Sequence, residues 1–362
     1  MTTASTNILL DTTSTHEARS WLILGGAAGL AVGLAGGHPD AAVRWQPIDF
    51  VECSAAPSPP ANLGIDEPGA IATHIDAVVI AATPDRGLAR RWLLMARQAL
   101  TGGGRLFIAG ANTEGIRPVI GDAKKLFGPA VREDYRAKCR IAVFSPGNDP
   151  VDEPAWTTEP GVAPRTWREF PLEIGETSVS LVTQAGVFAG GRIDAGTRLL
   201  LDALPDRLTG RVLDIGCGAG AIGIAAALLG ADNVDMTDVN LLAIQAAQEN
   251  IRRLSQSGDG STRVRPLRHV HAFAGDVYSA VGDARYGLIV SNPPFHRGKA
   301  IDYTIADRLI AGAPDHLAHG GSLLVVANAF LAYGKRMARV FSDVETVAAT
   351  RQYHVLRASG AR

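Results

Sequence analysis

The residues best suited to chemistry stand together in one short segment, Ser291-Asn-Pro-Pro-Phe-His296. An amino group on a guanine or adenine ring is a poor nucleophile, because its lone pair is delocalised into the ring. If the Asn292 side-chain oxygen and the Pro293 carbonyl each accept one N–H, the nitrogen is held and its developing positive charge is stabilised. Pro293 and Pro294 fix the backbone, and Phe295 offers a face for a planar base. These residues are therefore predicted to be catalytic, with an exocyclic or amide-type nitrogen as the target.

A glycine-rich turn is the second chemical signal. An apolar run ends in Asp214 and is followed by Gly216, Cys217, Gly218 and Gly220. Glycines let the backbone approach a ligand closely, and a carboxylate at the strand end can face a cationic amino group. A dinucleotide pyrophosphate would need G-x-G-x-x-G with no acid ahead of it, because a carboxylate repels phosphate. The turn therefore predicts S-adenosylmethionine as the cofactor, with Cys217 a small filler that belongs to the binding turn.

Two further acidic residues follow later strands of the same region. Asp238 ends the next predicted strand, where a carboxylate can accept both ribose hydroxyls, and Val239 lies beside it. Asp276 and Val277 follow the third strand, so they are predicted to bind the adenine amino group and to pack against its ring. Two ordinary alternatives stay open, because Asp238 could cap the following helix and Asp276 could be a turn residue.

The elements that must position these residues alternate along the C-terminal half. Short β-rich runs are separated by helical stretches rich in Ala and Leu. Such alternation predicts a mostly parallel, doubly wound sheet that binds ligands at the carboxyl ends of its strands. The predicted strands are 211–215, 233–238, 269–274, 287–291 and 322–327, and the predicted helices begin near 221, 241 and 302.

The N-terminal half shows a weaker form of the same order. Strands are predicted at 21–25, 77–81 and 105–109, and the first of them enters a Gly-rich turn. Ala82-Thr83-Pro84 stands where Asn292-Pro293-Pro294 stands in the second half, so this copy lacks the chemistry. The pattern favours an internal duplication, with a chance likeness of two α/β domains as the alternative.

A Pro-rich, acidic stretch without apolar periodicity separates the two halves. The sequence therefore predicts an α/β protein with two tandem Rossmann-like domains of the class I methyltransferase type. Residues 1–145 are predicted to form a degenerate domain, 146–165 a linker and 166–362 the catalytic domain.

Composition limits the classes of function. With 46% hydrophobic residues, 20% charged residues and a formal net charge of -1, the chain is typical of a globular protein. A nucleic-acid partner must therefore be held by a local patch. The apolar run 21–37 is rich in Gly and Ala and lacks a basic flank, which favours a buried strand and helix over a membrane anchor. The cysteines form no CxxC pair, so we expect no metal site and a cytoplasmic location.

Longer segments resemble the ribosomal RNA small-subunit methyltransferase C group over most of the chain. Beyond the cofactor turn and the NPPFH motif, they are Gly186–Pro205, Val326–Tyr333, Gly103–Pro118 and Lys138–Arg140. The resemblance implies two methyltransferase-like folds of which only the second binds S-adenosylmethionine, and methylation of a guanine N2 atom in 16S rRNA. It also implies ribosomal RNA or the small ribosomal subunit as the partner, with an RNA-binding or structural role for the first domain.

The chain departs from the family pattern in two places. After Phe188 the family usually shows Ser-Arg where this chain has Ala189-Gly-Gly-Arg192, which leaves the role of Arg192 open. Segment 252–271 is longer than expected and rich in arginine, so it is either a phosphate-binding loop or a solvated face. His296 is likewise open between a proton acceptor and a surface histidine.

Three other functions compete with this interpretation. They are protein-glutamine N5-methyltransferase, adenine-N6 methyltransferase on nucleic acid, and a binding module without turnover. The glutamine enzymes usually carry Tyr at the position of Phe295, and the intact Asp214, Asp238 and Asn292 argue against a module without turnover. The sequence does not specify the modified nucleotide or whether the substrate is naked rRNA, and we expect a monomer.

Overall fold

The structure is a computed structural model, and it describes residues 3–55, 60–70, 72–147, 153–256, 267, 269–294, 296–297, 300–301 and 303–361. The chain divides into two compact units. The first consists of residues 1–168 with 184–186, and the second of residues 169–183 with 187–362. Among the described residues, no helix has both the length and the apolar character needed to cross a bilayer.

The first unit is built on a seven-stranded sheet with the order β3-β2-β1-β4-β5-β7-β6. The first five strands run parallel, and β7 lies antiparallel to both β5 and β6. The strands are β1 (Ser20–Leu24), β2 (Ala42–Gln46), β3 (Leu63–Ile65), β4 (Ile75–Ala81), β5 (Leu100–Ala111), β6 (Arg132–Arg136) and β7 (Cys139–Phe144). The helices are α1 (Ala4–Thr13), α2 (Ala28–Gly37), α3 (Phe50–Ser54), α4 (Arg86–Ala99) and α5 (Ile116–Phe127).

Side-chain carboxylates cap the starts of two helices in this unit. Asp85 caps α4, since its side chain accepts from Leu88 N at 2.9 Å. Ala27 precedes α2 and has no capping side chain, so the carboxylate of Glu52 accepts from Ala28 N at 3.1 Å instead. The apolar run that raised the membrane question forms the buried strand β1 and helix α2, as predicted.

The second unit contains a sheet with the order β12-β11-β10-β13-β16-β18-β17 and two small hairpins. The strands are β8 (Arg168–Ile174), β9 (Thr177–Thr183), β10 (Arg211–Ile215), β11 (Asn233–Asp238), β12 (Val270–Ala274), β13 (Tyr286–Ser291), β14 (His296–Arg297), β15 (Ala300–Ile301), β16 (Leu317–Asn328), β17 (Phe341–Ala349) and β18 (Tyr353–Ala361). The helices are α6 (Ala195–Asp202), α7 (Ala221–Leu228), α8 (Leu241–Gln256), α9 (Thr304–His316) and α10 (Tyr333–Met337).

The two large sheets have the same connectivity, which confirms the predicted fold class of two tandem, mostly parallel α/β domains. In each unit the central parallel strands are buried and are flanked by helices, so their apolar side chains form the core on both faces. The carboxyl ends of β10, β11 and β13 meet at one edge of the second sheet, and this edge carries the predicted site.

Strand pairing corrects the alignment of the two halves by one residue. Ile80 pairs with Leu24 in the first sheet, whereas Ser291 pairs with Ile215 in the second. Ala81, the residue after Ile80, is therefore the structural equivalent of Asn292. The alignment of the two halves by sequence had given that position to Ala82. Segments of similar composition can be shifted by one residue in an ungapped comparison, while the hydrogen-bonded register of a buried strand cannot.

The boundary between the units also differs from the predicted linker 146–165. Residues 153–168 belong to the first unit, because Trp156 is only 8% exposed and its ring lies 5.1 Å from the Arg90 guanidinium carbon. Arg91 is buried nearby, and its Nη1 donates to the carbonyls of Gly161 at 3.3 Å and Ala163 at 3.4 Å. Proline content indicated an exposed connection, but these contacts pack the segment onto α4.

Candidate active site

A pocket at the carboxyl edge of the second sheet brings the two predicted motifs together. The turn after β10 contributes Gly216 and Gly218, and the loop after β13 contributes Asn292. Thr197 from α6 and Arg192 from the preceding loop complete this part of the lining. The parallel register of β10 and β13 places their ends side by side, which explains why motifs far apart in sequence share one pocket.

The glycine turn has the open backbone that its sequence predicted. Gly216, Gly218 and Gly220 have φ angles of 73°, 56° and 87°, in the left-handed region that favours glycine. A Cβ atom at Gly216 or Gly218 would meet no heavy atom within 4 Å, so the space beside the turn is free. Cys217 is buried, and burial together with the nearby carboxylates of Asp238 and Asp214 raises the pKa of its thiol well above the usual value. A protonated thiol is consistent with the predicted filler role.

Asp214 is buried behind the turn and does not line the pocket. Its Oδ2 accepts from Gly223 N at 2.8 Å, which ties the strand end to α7. Its Oδ1 is buried and has no hydrogen-bond partner among the described residues. Burial, with the charge of Asp238 as a smaller cause, raises the pKa of Asp214 to about 7. One oxygen of this buried carboxyl group therefore has no hydrogen-bond partner among the described residues.

Asp238 and Val239 lie at the end of β11, beside the glycine turn. Asp238 Oδ2 accepts from Gly218 N at 2.9 Å, and its Oδ1 accepts from Asn240 N at 2.8 Å. The sequence left open whether Asp238 caps the following helix. Asn240 directly precedes α8, and its Oδ1 accepts from Leu242 N at 3.0 Å, so Asn240 takes the capping position. Asp238 therefore bridges the turn and the end of β11, where the ribose was predicted to bind.

Asp276 and Val277 are placed less favourably for the adenine contacts that the sequence predicted. Asp276 is ion-paired with Arg308, whose Nη1 lies 2.8 Å from Oδ2. Val277 is only 5% exposed and has a φ of 56°, an unusual angle for a β-branched residue. Its side chain packs in the hydrophobic core with Leu213 and Ile289. The Val277 carbonyl is buried as well, and it accepts from Thr237 Oγ1 at 3.4 Å.

The acceptor loop is held at its start by Ser291, whose hydroxyl donates to Ile215 O at 2.7 Å. Asn292 is half-buried and its Nδ2 donates to Thr197 Oγ1 at 3.0 Å. Pro293 is buried, whereas Pro294 is exposed. Phe295 lies outside the described residues, and the structure describes the backbone of His296 in β14 but not its side chain.

The sequence interpretation missed Thr197, Asp194 and Phe188, which all line the same pocket. Thr197 donates its hydroxyl to the carboxylate of Asp194, which also caps α6. Phe188 is 70% exposed, an unusual state for a large apolar side chain. All three belong to Gly186–Pro205, the segment that carries part of the family resemblance, but only the fold brings them next to Asn292.

The comparisons with known proteins agree with this geometry. Residues 178–357 match the family model of the methyltransferase small domain. Ribosomal RNA small subunit methyltransferase C from Vibrio cholerae is 32% identical over 74% of this chain and 72% of its own length. The Aeromonas hydrophila enzyme of the same name is 31% identical over 78% of this chain and 77% of its own length. This chain belongs to the ribosomal RNA small subunit methyltransferase C family.

A solved structure extends this family relationship to both units. The T. thermophilus 16S rRNA N2 G1207 methyltransferase, in complex with AdoMet and guanosine, has a TM-score of 0.79 and 25% identity to this chain. It covers 99% of this chain and 92% of its own length. The predicted family, fold and methyltransferase class are therefore confirmed.

The residues that depart from the pattern of the methyltransferase C family have separate placements. Arg192 is exposed and lines the pocket, although the Ser of the usual Ser-Arg pair is missing. Arg252 and Arg253 lie on α8, where both pair with Glu249 at 2.8 and 2.7 Å. The Arg252 hydrogen bond is the main reason that the pKa of Glu249 falls to about 2. The other arginines of the basic segment lie outside the described residues.

Within the described parts of the chain, no cluster of three or more His, Cys, Asp or Glu side chains could hold a metal ion.

Proposed function

We propose that this chain transfers a methyl group from S-adenosylmethionine to the exocyclic N2 atom of a guanine in small-subunit rRNA. The observation that carries the proposal is the single pocket in which Asn292 meets the open glycine turn. The relatives that match this chain are named as small-subunit rRNA methyltransferases, and the T. thermophilus relative was solved with AdoMet and guanosine.

The residues of the turn fit S-adenosylmethionine. Gly216 and Gly218 leave free space for a ligand against the backbone, and one buried oxygen of Asp214 has no partner in the part of the chain that the structure describes. We assign cofactor binding to Asp214, Gly216, Cys217, Gly218 and Gly220, together with Asp238, Val239, Asp276 and Val277. When bound, the cofactor supplies a methyl carbon on a positively charged sulfur, which keeps the electron pair of the broken carbon–sulfur bond.

Asn292 and Pro293 act on the attacking nitrogen. Its lone pair forms the new bond to carbon, and one N–H proton leaves to water. Before that, the Asn292 Oδ1 and the Pro293 carbonyl each accept an N–H, which orients the lone pair and stabilises the charge that develops. Pro294 stiffens the loop, and we assign Phe295 as the stacking face for the base.

The chemical test identifies the methylated atom. The purified protein is given S-adenosylmethionine labelled in its methyl group with naked 16S rRNA, small subunits, tRNA or release factors as separate acceptors. Nuclease digestion and mass spectrometry should then find N2-methylguanosine from rRNA or small subunits. Recovery of N6-methyladenosine or methylated glutamine without N2-methylguanosine would overturn the substrate assignment, while transfer to no acceptor would overturn the proposed activity.

We further propose that the first unit holds RNA through the hairpin of β6 and β7. Tyr135 is 57% exposed, and the Arg140 guanidinium carbon lies 5.0 Å from the centre of its ring. Lys138, at the hairpin tip, and Arg117, near the start of α5, are exposed cations with no carboxylate partner among the described residues. An exposed aromatic ring together with exposed cations is the combination that stacks a base and contacts phosphates.

The RNA-binding proposal is tested with Tyr135→Ala and Lys138→Ala in the full chain. Losing a stacking face should weaken rRNA binding by about 1 to 3 kcal/mol, and losing one phosphate contact should reduce the salt dependence of binding. Arg97→Ala is the control, because Arg97 is an exposed cation in the last turn of α4 that pairs with Glu153. Filter binding at several salt concentrations measures both effects. Unchanged rRNA affinity in both variants would contradict the assigned surface.

The proposal includes a monomeric enzyme that works in the cytoplasm, where its RNA substrate is found. Sedimentation equilibrium with and without rRNA checks the oligomeric state.

A further inference from the structure

A chain of two hydrogen bonds joins the acceptor loop to the start of α6. Asn292 Nδ2 donates to Thr197 Oγ1 at 3.0 Å, and the Thr197 hydroxyl donates to Asp194 Oδ2. Thr197 is 9% exposed, so water has little access to this contact. The described residues provide no donor to the remaining oxygen of Asn292.

The donor and the acceptor of each of these two hydrogen bonds follow from the number of protons that the three side chains carry. Asp194 acts as an acceptor, since its Oδ1 accepts from Gly196 N at 3.0 Å and from Thr197 N at 3.3 Å. A carboxylate has no proton to donate, and a threonine hydroxyl has one. Because that one proton goes to Asp194, Thr197 presents only lone pairs to Asn292.

We infer that Asp194 and Thr197 are positioning residues that fix the amide of Asn292 with its oxygen toward the acceptor nitrogen. An amide has two nearly isosteric orientations, and the hydrogen-bond network selects between them. With lone pairs facing it, Asn292 must turn its NH2 group to Thr197, which leaves Oδ1 for the substrate. The inference rests on the proposed role of Asn292 as the group that accepts an N–H from the target.

The fixed amide also limits the class of acceptor. A nitrogen that carries hydrogen, such as an exocyclic amino group, can donate to Oδ1 and is held in place. A ring nitrogen that presents only a lone pair would face the lone pairs of Oδ1 and be repelled. The hydrogen-bonded series Asp194–Thr197–Asn292, here called the relay, thus favours amino groups over ring nitrogens as methyl acceptors.

Isosteric variants test the relay in the full-length enzyme. Thr197→Val removes the hydroxyl and keeps the shape, while Thr197→Ser keeps the hydroxyl. Thr197→Val should lower the single-turnover methylation rate of small-subunit rRNA about tenfold to a hundredfold, because a misplaced catalytic group costs that much. Its apparent affinity for RNA and for S-adenosylmethionine should change by about twofold or less, and Thr197→Ser should regain most of the rate.

Asp194→Asn provides a second, independent variant. Asparagine is also a good helix cap, so α6 should be preserved. Its NH2 group can donate to Thr197 Oγ1, which frees the hydroxyl to donate to Asn292 Oδ1 and reverses the amide. We expect a loss of rate similar to that of Thr197→Val, with an unchanged melting temperature. A full rate in Asp194→Asn would overturn the assigned direction.

A double-mutant cycle separates positioning from a merely structural role. If Thr197 acts only through Asn292, Thr197→Val should cause no further loss of rate in an Asn292→Ala background. Equal losses in both backgrounds, or a full rate in Thr197→Val beside a slow Asn292→Ala, would overturn the relay. A full rate in Asn292→Ala itself would instead overturn the proposed function, so the two failures are distinguishable.

Discussion

The carboxyl edge of the large sheet differs between the two units. In the first unit it is filled by side chains of the protein itself, and in the second unit it is open. In the first unit a Cβ on Gly25 would lie 2.3 Å from Cη2 of Trp92, and Trp45 Nε1 donates to Gly25 O at 2.9 Å. In the second unit the turn residues Gly216 and Gly218 have nothing within 4 Å of that position. Indole rings therefore occupy the edge that the second unit keeps free.

The polar residues of the edge differ in the same way. By strand pairing, Ile23 of the first sheet is equivalent to Asp214 of the second. Pro47, directly after β2, is equivalent to Asp238 at the end of β11. The first unit thus has neither carboxylate at the turn, and Ala81 replaces the acceptor residue Asn292. Connectivity and sheet register are therefore compatible with both states, since function depends on a few side chains at the edge.

The largest expected effect comes from emptying the filled edge. Trp92 is 5% exposed, so Trp92→Ala should destabilise the first unit by about 3 to 5 kcal/mol, as truncation of a buried aromatic does. Chemical denaturation followed by circular dichroism measures the loss. Calorimetry should still find one S-adenosylmethionine per chain, because the carboxylates are absent there. Binding of a second equivalent would show that the indole alone closes the first site.

The next largest effect concerns the acceptor residue. Asn292→Ala should lower turnover about 10²-fold or more, as the loss of one preorganised polar partner does, with little change in cofactor affinity. Ala81→Asn is the matched control, since it places the same side chain at the equivalent position of the first unit. This control should leave turnover unchanged, and a higher rate in it would mean that the first unit contributes to catalysis.

A smaller effect should appear as a pH dependence of cofactor binding. Burial raises the pKa of Asp214 to about 7, so the free protein holds a proton there below neutral pH. A cationic amino group needs the ionised carboxylate, so affinity for S-adenosylmethionine should fall by up to about tenfold per pH unit below 7. Calorimetry across pH 5.5 to 8 tests this, and Asp214→Asn should bind weakly without that dependence.

Stability should show the opposite dependence on pH. The folded protein holds the Asp214 proton up to pH about 7, whereas the unfolded chain loses it near the ordinary value of 3.8. The contribution of this group is therefore fully present below pH about 3.8, falls by up to about 1.4 kcal/mol per pH unit as pH rises from there to about 7, and is lost above that pH. Asp214→Asn should remove this slope, and equal slopes in both proteins would contradict the raised pKa.

The smallest expected effect concerns Glu52, the carboxylate that caps helix α2 in the first unit. Glu52 accepts from Ala28 N at the start of α2, so Glu52→Ala should cost about 1 kcal/mol, the usual value for a lost cap. Thermal denaturation measures this loss. Methylation of rRNA should be unchanged, and a reduced rate would show that the filled edge is coupled to catalysis.

The amino-acid sequence was enough to predict several central parallel strands of both sheets and the two motifs, whereas the antiparallel strands β6, β7, β17 and β18 and the hairpin of β8 and β9 were not predicted. Strands β10 and β11 have the predicted limits, because each is a short run with buried apolar residues that lies between turn residues and a following helix. The glycines, Asp214, Asp238 and Asn292 could be found because they lie in the last residues of predicted strands or directly after them. Strands β5 and β16 are longer than predicted, since each continues through a glycine loop that composition marks as a turn.

The residues that surround Asn292 and the direction in which each carboxylate faces became known only from the folded structure. Thr197 lies 95 positions from Asn292 along the chain, and no local pattern marks it as a partner. Asp214 was expected at the surface of the pocket, yet the strand register turns its side chain inward to Gly223. Local sequence fixes propensity and periodicity, which act over a few residues, whereas these contacts depend on the pairing of distant strands.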